Sequence, residues 1–174
     1  MVQTVDYDTL ATLAEMAVSI IGIAGLVAVF LSRGTISQFD KFRFLFIVIP
    51  AGTAAVGSYL PIWFGRHLAD QVFVWQFSAG IIAATIVFGQ LILVRSGYGF
   101  RSEFVRELRS ILSPYVFWAS TIVGLFVLIL SGLNAASWPI LSNQTIYEFV
   151  LMLMIAQATL QFVSMVYYRS ADVK

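Results

Sequence analysis

The chain has 174 residues, 60% of them hydrophobic and 11% charged, with a formal net charge of +1. A soluble domain keeps about a quarter of its residues charged, so this composition, with a mean hydropathy of +0.90, excludes a chain that meets water over most of its surface. The near-neutral charge gives no pull toward nucleic acid; the lack of cysteine excludes disulfides and thiolate chemistry, and a lone histidine excludes a paired-imidazole haem site within one chain.

Crossing a bilayer core of ~30 Å takes about 20 apolar helical residues. Five windows reach that length: 10–31, 44–64, 72–94, 115–133 and 146–168. The first is not read as a cleaved signal peptide, because Asp6 and Asp8 stand where such a peptide carries Lys or Arg and the apolar run is too long. Gly34, Gly65, Gly97 and Gly132 fall at or just past the ends of apolar runs, where a helix-terminating residue is expected. Thr35 with Gln38 and Thr145 with Glu148 have capping-box spacing, and Ser113-Pro114 reads as an N-cap followed by a first-turn proline. The expected fold is therefore all-α: one polytopic integral membrane domain over 1–174, a bundle of five transmembrane helices.

The connector 95–113 is the longest segment that is not membrane-like, and it holds Arg95, Arg101, Arg106 and Arg109. From Ser102 onward, Phe104, Val105, Leu108, Ile111 and Leu112 share one side of a helical pattern, so a short amphipathic helix on the cytoplasmic face is expected. Its four arginines are candidate contacts for anionic lipid or a partner, with a plain topology anchor as the alternative. Lys and Arg in short loops mark the cytoplasmic side. With the N-terminus outside, nine of the ten basic residues fall inside and Arg66 alone falls outside, giving an N-out, C-in protein of the plasma (inner) membrane. Trp63, Trp75 and Trp138 then gather at the outer boundary, where indoles favour headgroups.

Small residues let helices approach closely in lipid. The second window is richest in them (Ala51, Gly52, Ala54, Ala55, Gly57, Ser58) and is bracketed by Pro50 and Pro61. It is expected to be central and bent near Pro50, met by Gly22, Ala24, Gly25 and Ala28 of the first window and by Gly80 and Ala84 of the third.

Glu15 is the one acid well inside an apolar window, about 7–8 Å below the outer boundary at 1.5 Å per residue. Intramembrane ionisable groups are functional candidates. Glu15 reads either as interfacial or capped by Thr12, with Arg66 as a pairing candidate, or as lining a proton, cation or amine path. Gln157, Gln161 and Ser164 form a polar stripe at i, i+4 and i+7, with Gln90, Ser120 and Thr121 at compatible depths on the inner half. Interhelical hydrogen bonding is one reading of the stripe and a polar-lined cavity the other. His67 reads as a solvated residue of the outer loop, with outer-face pH sensing as the alternative.

No nucleotide-binding glycine loop, H-E-x-x-H zinc motif or G-x-S-x-G elbow occurs. No catalytic or metal residue is assigned, and a lipid or pigment held by apolar contacts would leave no signature. The expected partners are the lipid bilayer and other membrane protein chains, in homo- or hetero-oligomers, without nucleic acid. The leading expectation is a non-enzymatic subunit or scaffold of a larger membrane assembly. The alternative is a homo-oligomeric channel or small transporter with Glu15 lining an outer-facing path, and a lipid-modifying enzyme using Glu15 and His67 ranks third.

Overall fold

Backbone N–H and C=O groups surrounded by apolar side chains must bond to one another, and a helix achieves this within one segment. The computed structural model describes residues 7–31, 38–68, 70–98, 114–136 and 144–171. Apart from short connecting residues these are helical throughout: α1 (Tyr7–Leu31), α2 (Gln38–His67), α3 (Gln71–Tyr98), α4 (Pro114–Ala135) and α5 (Gln144–Ala171). α1, α2, α3 and α5 each hold a stretch of 22–24 residues long and apolar enough to cross a membrane, whereas the apolar stretch described in α4 is Ala119–Ala135. Four such helices point to a membrane location. The expected amphipathic helix, with Arg101, Arg106 and Arg109, lies outside the described residues, as does Trp138.

Consecutive helices run antiparallel. Gly65 near the end of α2 lies beside the Tyr7 hydroxyl, Gly25 faces the Phe44 ring, and Gly80 of α3 faces Ala135 of α4. α2 packs on α3, α3 on α4, α4 on α5 and α5 back on α2, which closes a four-helix square; α1 lies outside it against α2 and α5. The main apolar core fills the square with Ile82, Ile86, Val127, Leu151 and Met154, while a second cluster (Ala24, Ile47, Ala51, Ala158, Met165) joins α1, α2 and α5. α2 is the most covered helix, with 44% of its apolar stretch buried against 22% for α1. That agrees with its run of small residues.

The sharpest constraint is at Gly57. In an α-helix the carbonyl of residue 57 accepts from the N–H of residue 61, and residue 61 is a proline, which has none. Tyr147 of α5 takes over that role: its buried hydroxyl donates to the Gly57 carbonyl at 2.6 Å. The missing side chain also lets two neighbours close in: a Cβ there would meet Ile82 Cδ1 at 2.8 Å and Leu151 Cδ2 at 2.9 Å, and those side-chain ends would have to shift. Three helices thus converge on one residue that has no side chain and lacks its helical donor.

Several sequence expectations are corrected. Gly65, Gly97 and Gly132 do not end their helices, which continue to His67, Tyr98 and Ala135; Leu68 N–H to Phe64 O at 2.8 Å and Ala136 N–H to Gly132 O at 2.9 Å extend the helical bonding pattern. A glycine permits termination without compelling it. Asp70 caps α3 instead, its Oδ1 accepting from Val72 N–H at 2.9 Å and Phe73 N–H at 3.4 Å. Glu148 pairs with the side chain of Gln144 at 2.6 Å, in place of the capping box read for Thr145 and Glu148. Gly80 meets α4, Ala84 is exposed, and α3 approaches α2 through Gly89, packed against Ile49. Gly22 faces open space. Trp75 turns inward, 3% exposed, and packs on Tyr147 with ring centroids 5.4 Å apart, while Trp63 is 60% exposed.

Two predictions follow from these contacts. Tyr147→Phe should destabilise the fold by about 1–3 kcal/mol, the cost of leaving a buried carbonyl unpaired. In a Pro61→Ala background, where residue 61 regains its N–H, the same change should cost less; a double-mutant cycle by reversible unfolding in mixed micelles reads the difference, and additive effects would refute the assignment. Gly89→Ala places a Cβ 2.5 Å from Ile49 Cγ2, on a stiff β-branched side chain. It should therefore cost about 1–3 kcal/mol by overpacking, whereas Gly22→Ala should be neutral or stabilising in the same assay.

Candidate functional site

Polar side chains inside an apolar bundle seek partners, and the nearest are often on their own helix. Thr53, Ser58, Thr85 and Thr159 each donate to the carbonyl four residues back, at 2.8–2.9 Å. The groups that depart from this local pattern occupy two levels of the four-helix square.

At the level of Ser120, Gln157 reaches from α5 to α4, its Nε2 donating to Ser120 Oγ at 2.8 Å and to the Ser120 carbonyl at 3.2 Å. Gly124, one turn further along α4, leaves room for two amides: a Cβ there would stand 3.6 Å from Gln90 Nε2 and 3.8 Å from Gln157 Nε2. Gln90 and Gln157 line a cavity of about 30 Å³ with Pro50, Ile86 and Met154, enough for roughly one water. All four helices of the square contribute to its wall. Gln161 is buried, and Ser164 turns back to donate to the Gln161 carbonyl at 2.8 Å.

Toward the other end of the square Ser78 of α3 and Ser131 and Asn134 of α4 are almost wholly buried. Ser78 adjoins the Tyr147 phenol, yet the Oγ atoms of Ser78 and Ser131 have no partner at hydrogen-bonding geometry. Between the levels lies the apolar packing of Ile82, Ile86, Val127, Leu151 and Met154. These interior groups are amides and hydroxyls, so they can bind helices together and hold water but supply no acid or base for proton transfer near neutral pH.

The charged candidates lie elsewhere. Glu15 is exposed, on the side of α1 opposite the buried Leu10, Leu13 and Ala17. α1 begins at Tyr7, and Thr12 donates to the Asp8 carbonyl at 2.9 Å, so no helix starts at Thr12 and Glu15 has no capping role. It lies about 12 Å along the axis from the first residue at 1.5 Å per residue. Among the described residues it forms no ion pair, with Arg66 or any other cation. Arg66 and His67 are exposed at the end of α2, where His67 packs on Trp63 with centroids 5.0 Å apart. Because that end adjoins Tyr7, Glu15 lies about two turns deeper than His67, and the two do not form one site. Arg95 is exposed in the last turn of α3. Among the described residues no three His, Asp or Glu side chains come together as a metal site would need.

The structure thus brings Gln90, Gln157 and Ser120 into one cluster and leaves Glu15, His67 and Arg95 on three separate surfaces. Tyr147, Ser78 and Ser131 were not among the sequence candidates. The readable sign was Pro61, which implies a donor for Gly57, but nothing along the chain says which helix supplies it. Comparisons with family models, curated proteins and solved structures give no match to this chain.

If the Gln157–Ser120 bond is an ordinary interhelical tie, Gln157→Leu should lower stability by about 0.6 kcal/mol and by no more than about 1.7 kcal/mol. Unfolding in mixed micelles measures this; a larger loss would show that Gln157 supports more than the α4–α5 contact.

Proposed function

We propose that this chain is a non-enzymatic integral membrane protein, a subunit or scaffold that acts through helix–helix and lipid contacts in a larger membrane assembly. The observation that carries the reading is Glu15, a carboxylate within the apolar stretch of α1 that points away from the bundle and has no ion-pair partner among the described residues. An ionisable group at such depth normally faces a bundle interior, a cavity or a partner. Here the interior is on the opposite side of α1, which leaves a partner.

In this reading the chain crosses the membrane five times, with α4 completing the count, the N-terminus outside and the C-terminus in the cytoplasm. The support is the distribution of basic residues, nine of ten on the cytoplasmic side. The connector 95–113 lies along the cytoplasmic interface as an amphipathic helix, its arginines toward headgroups or a cytoplasmic partner.

A transport role draws on the cavity at Gln90 and Gln157, which gives the inner level a place for water. The apolar packing on its outer side and the outward direction of Glu15 weigh against a path through one copy, so transport requires several copies around a shared axis.

Two measurements test these statements. Membranes solubilised in mild detergent should yield the chain in a particle clearly heavier than its own 19.3 kDa plus detergent, and a lone monomer would overturn the subunit reading. In liposomes, fluxes of protons and common ions should be the same for wild type and Glu15→Gln; a flux abolished by that substitution would favour the transporter.

A further inference from the structure

Seven of the twelve exposed residues of α1 repeat with a coiled-coil period. Asp8, Thr12, Glu15, Ser19 and Gly22 are spaced four, three, four and three apart, and all are exposed. Leu26 and Val29 continue the series and are 62% and 65% exposed. At 100° per residue these seven positions form one narrow face, and the buried Leu10, Leu13, Ala17 and Ala24 lie on the other side. One side of α1 packs on the bundle, and over the first four turns its outward side carries a polar strip flanked by exposed Met16, Val18 and Ile23. Acyl chains offer no donor to Glu15 or Ser19. A second helix does, and an alternating four–three repeat is the geometry by which one helix seats along another at a crossing near +20°.

We infer that this face of α1 docks a transmembrane helix of a different protein, one that carries a lysine or arginine at the depth of Glu15. The inference rests on the subunit reading above and adds the surface and the chemistry of the partner. Charge selects the occupant. The face bears two acids, Asp8 and Glu15, and no base. A second copy of this chain would share its orientation in the membrane, and a two-fold pairing of α1 would stack Glu15 on Glu15 and Asp8 on Asp8. A cation on the partner neutralises the carboxylate in a medium where such a pair is weakly screened. Gly22 is the point of closest approach, since a Cβ there meets nothing within 4 Å. On one flank the face opens onto an apolar groove of about 520 Å³ between α1 and α5, where Met16 and Met152 give adaptable walls for the partner's neighbouring side chains.

The test co-reconstitutes the full chain in phosphatidylcholine liposomes with a synthetic polyleucine helix bearing one lysine at the depth of Glu15. Association is read by energy transfer against an all-leucine control. Wild type should bind the lysine helix at least roughly tenfold more tightly than the control. Glu15→Gln should remove that preference, and Glu15→Lys should transfer it to a helix bearing glutamate. Gly22→Leu should weaken binding without affecting the bundle, because the position faces open space. Equal binding of both helices by wild type, or a preference that survives Glu15→Gln, would overturn the proposal. So would efficient disulfide-linked dimers of Ser19→Cys, the only thiol in a chain that otherwise has none, since they assign the face to a second copy. If the native particle remains heavier than a monomer in any of these cases, the subunit reading stands and only the seam is lost; a monomeric wild type removes the subunit reading itself.

Discussion

The fold depends on how a proline is accommodated inside the most covered helix. Pro61 deprives the Gly57 carbonyl of its helical donor, and in an apolar interior no water replaces it. The Tyr147 hydroxyl does so from α5, which fixes the depth of α5 relative to α2 to within a hydrogen bond. The absence of a side chain at Gly57 lets Ile82 of α3 and Leu151 of α5 close on the same point. Trp75 packs on the back of the tyrosine ring. α2, α3 and α5 therefore meet at one carbonyl and one missing Cβ. α4 joins through the bond between Gln157 and Ser120.

Polarity is distributed inside this frame in a way that separates packing from interaction. Amides and hydroxyls lie within the four-helix square, at two levels with an apolar layer between them. Glu148 of α5 is held by the Gln144 side chain, whereas Glu15 lies outside the square, on the face of α1 that no other described helix covers. Interior polar groups of this kind give each helix a preferred neighbour and depth at a modest energy per contact. An outward carboxylate contributes nothing to that internal order and is a cost until something covers it. The interior groups thus join the helices of the square, while Glu15 takes no part in those contacts.

Much of the architecture was readable along the chain, and the reasons can be named. The windows ending near Phe64 and Val94 were located because a long apolar run has few alternatives to a helix of that length. α2 was recognised as central from Ala51, Ala54, Ala55 and Gly57, since small side chains have little use on a surface that meets only acyl chains. Gly65 and Gly132 misled as terminators because permissive residues act only when competing bonds fail, and here the bonds continue. Trp75 misled because its depth suited a headgroup anchor, while its direction was set by Tyr147, 72 positions away. Within the candidate site, Gln157 and Ser120 bond to each other and Gln90 lines the same small cavity as Gln157, whereas Glu15 and His67 lie on separate surfaces.

The sequence by itself determined that the chain is helical, how long its apolar stretches are and how far along each stretch a polar residue lies. Those properties follow from backbone bonding in an apolar medium and from a constant rise per residue. Only the tertiary structure decided direction: that Glu15 points outward, that Tyr147 points to Gly57, and that Gly80 meets α4 rather than α2. The reason is that a membrane helix is apolar on both its packed and its exposed sides, so the pattern that separates inside from outside in a soluble helix is faint here. Direction is then set by which neighbouring surface offers the missing hydrogen bond or the empty space.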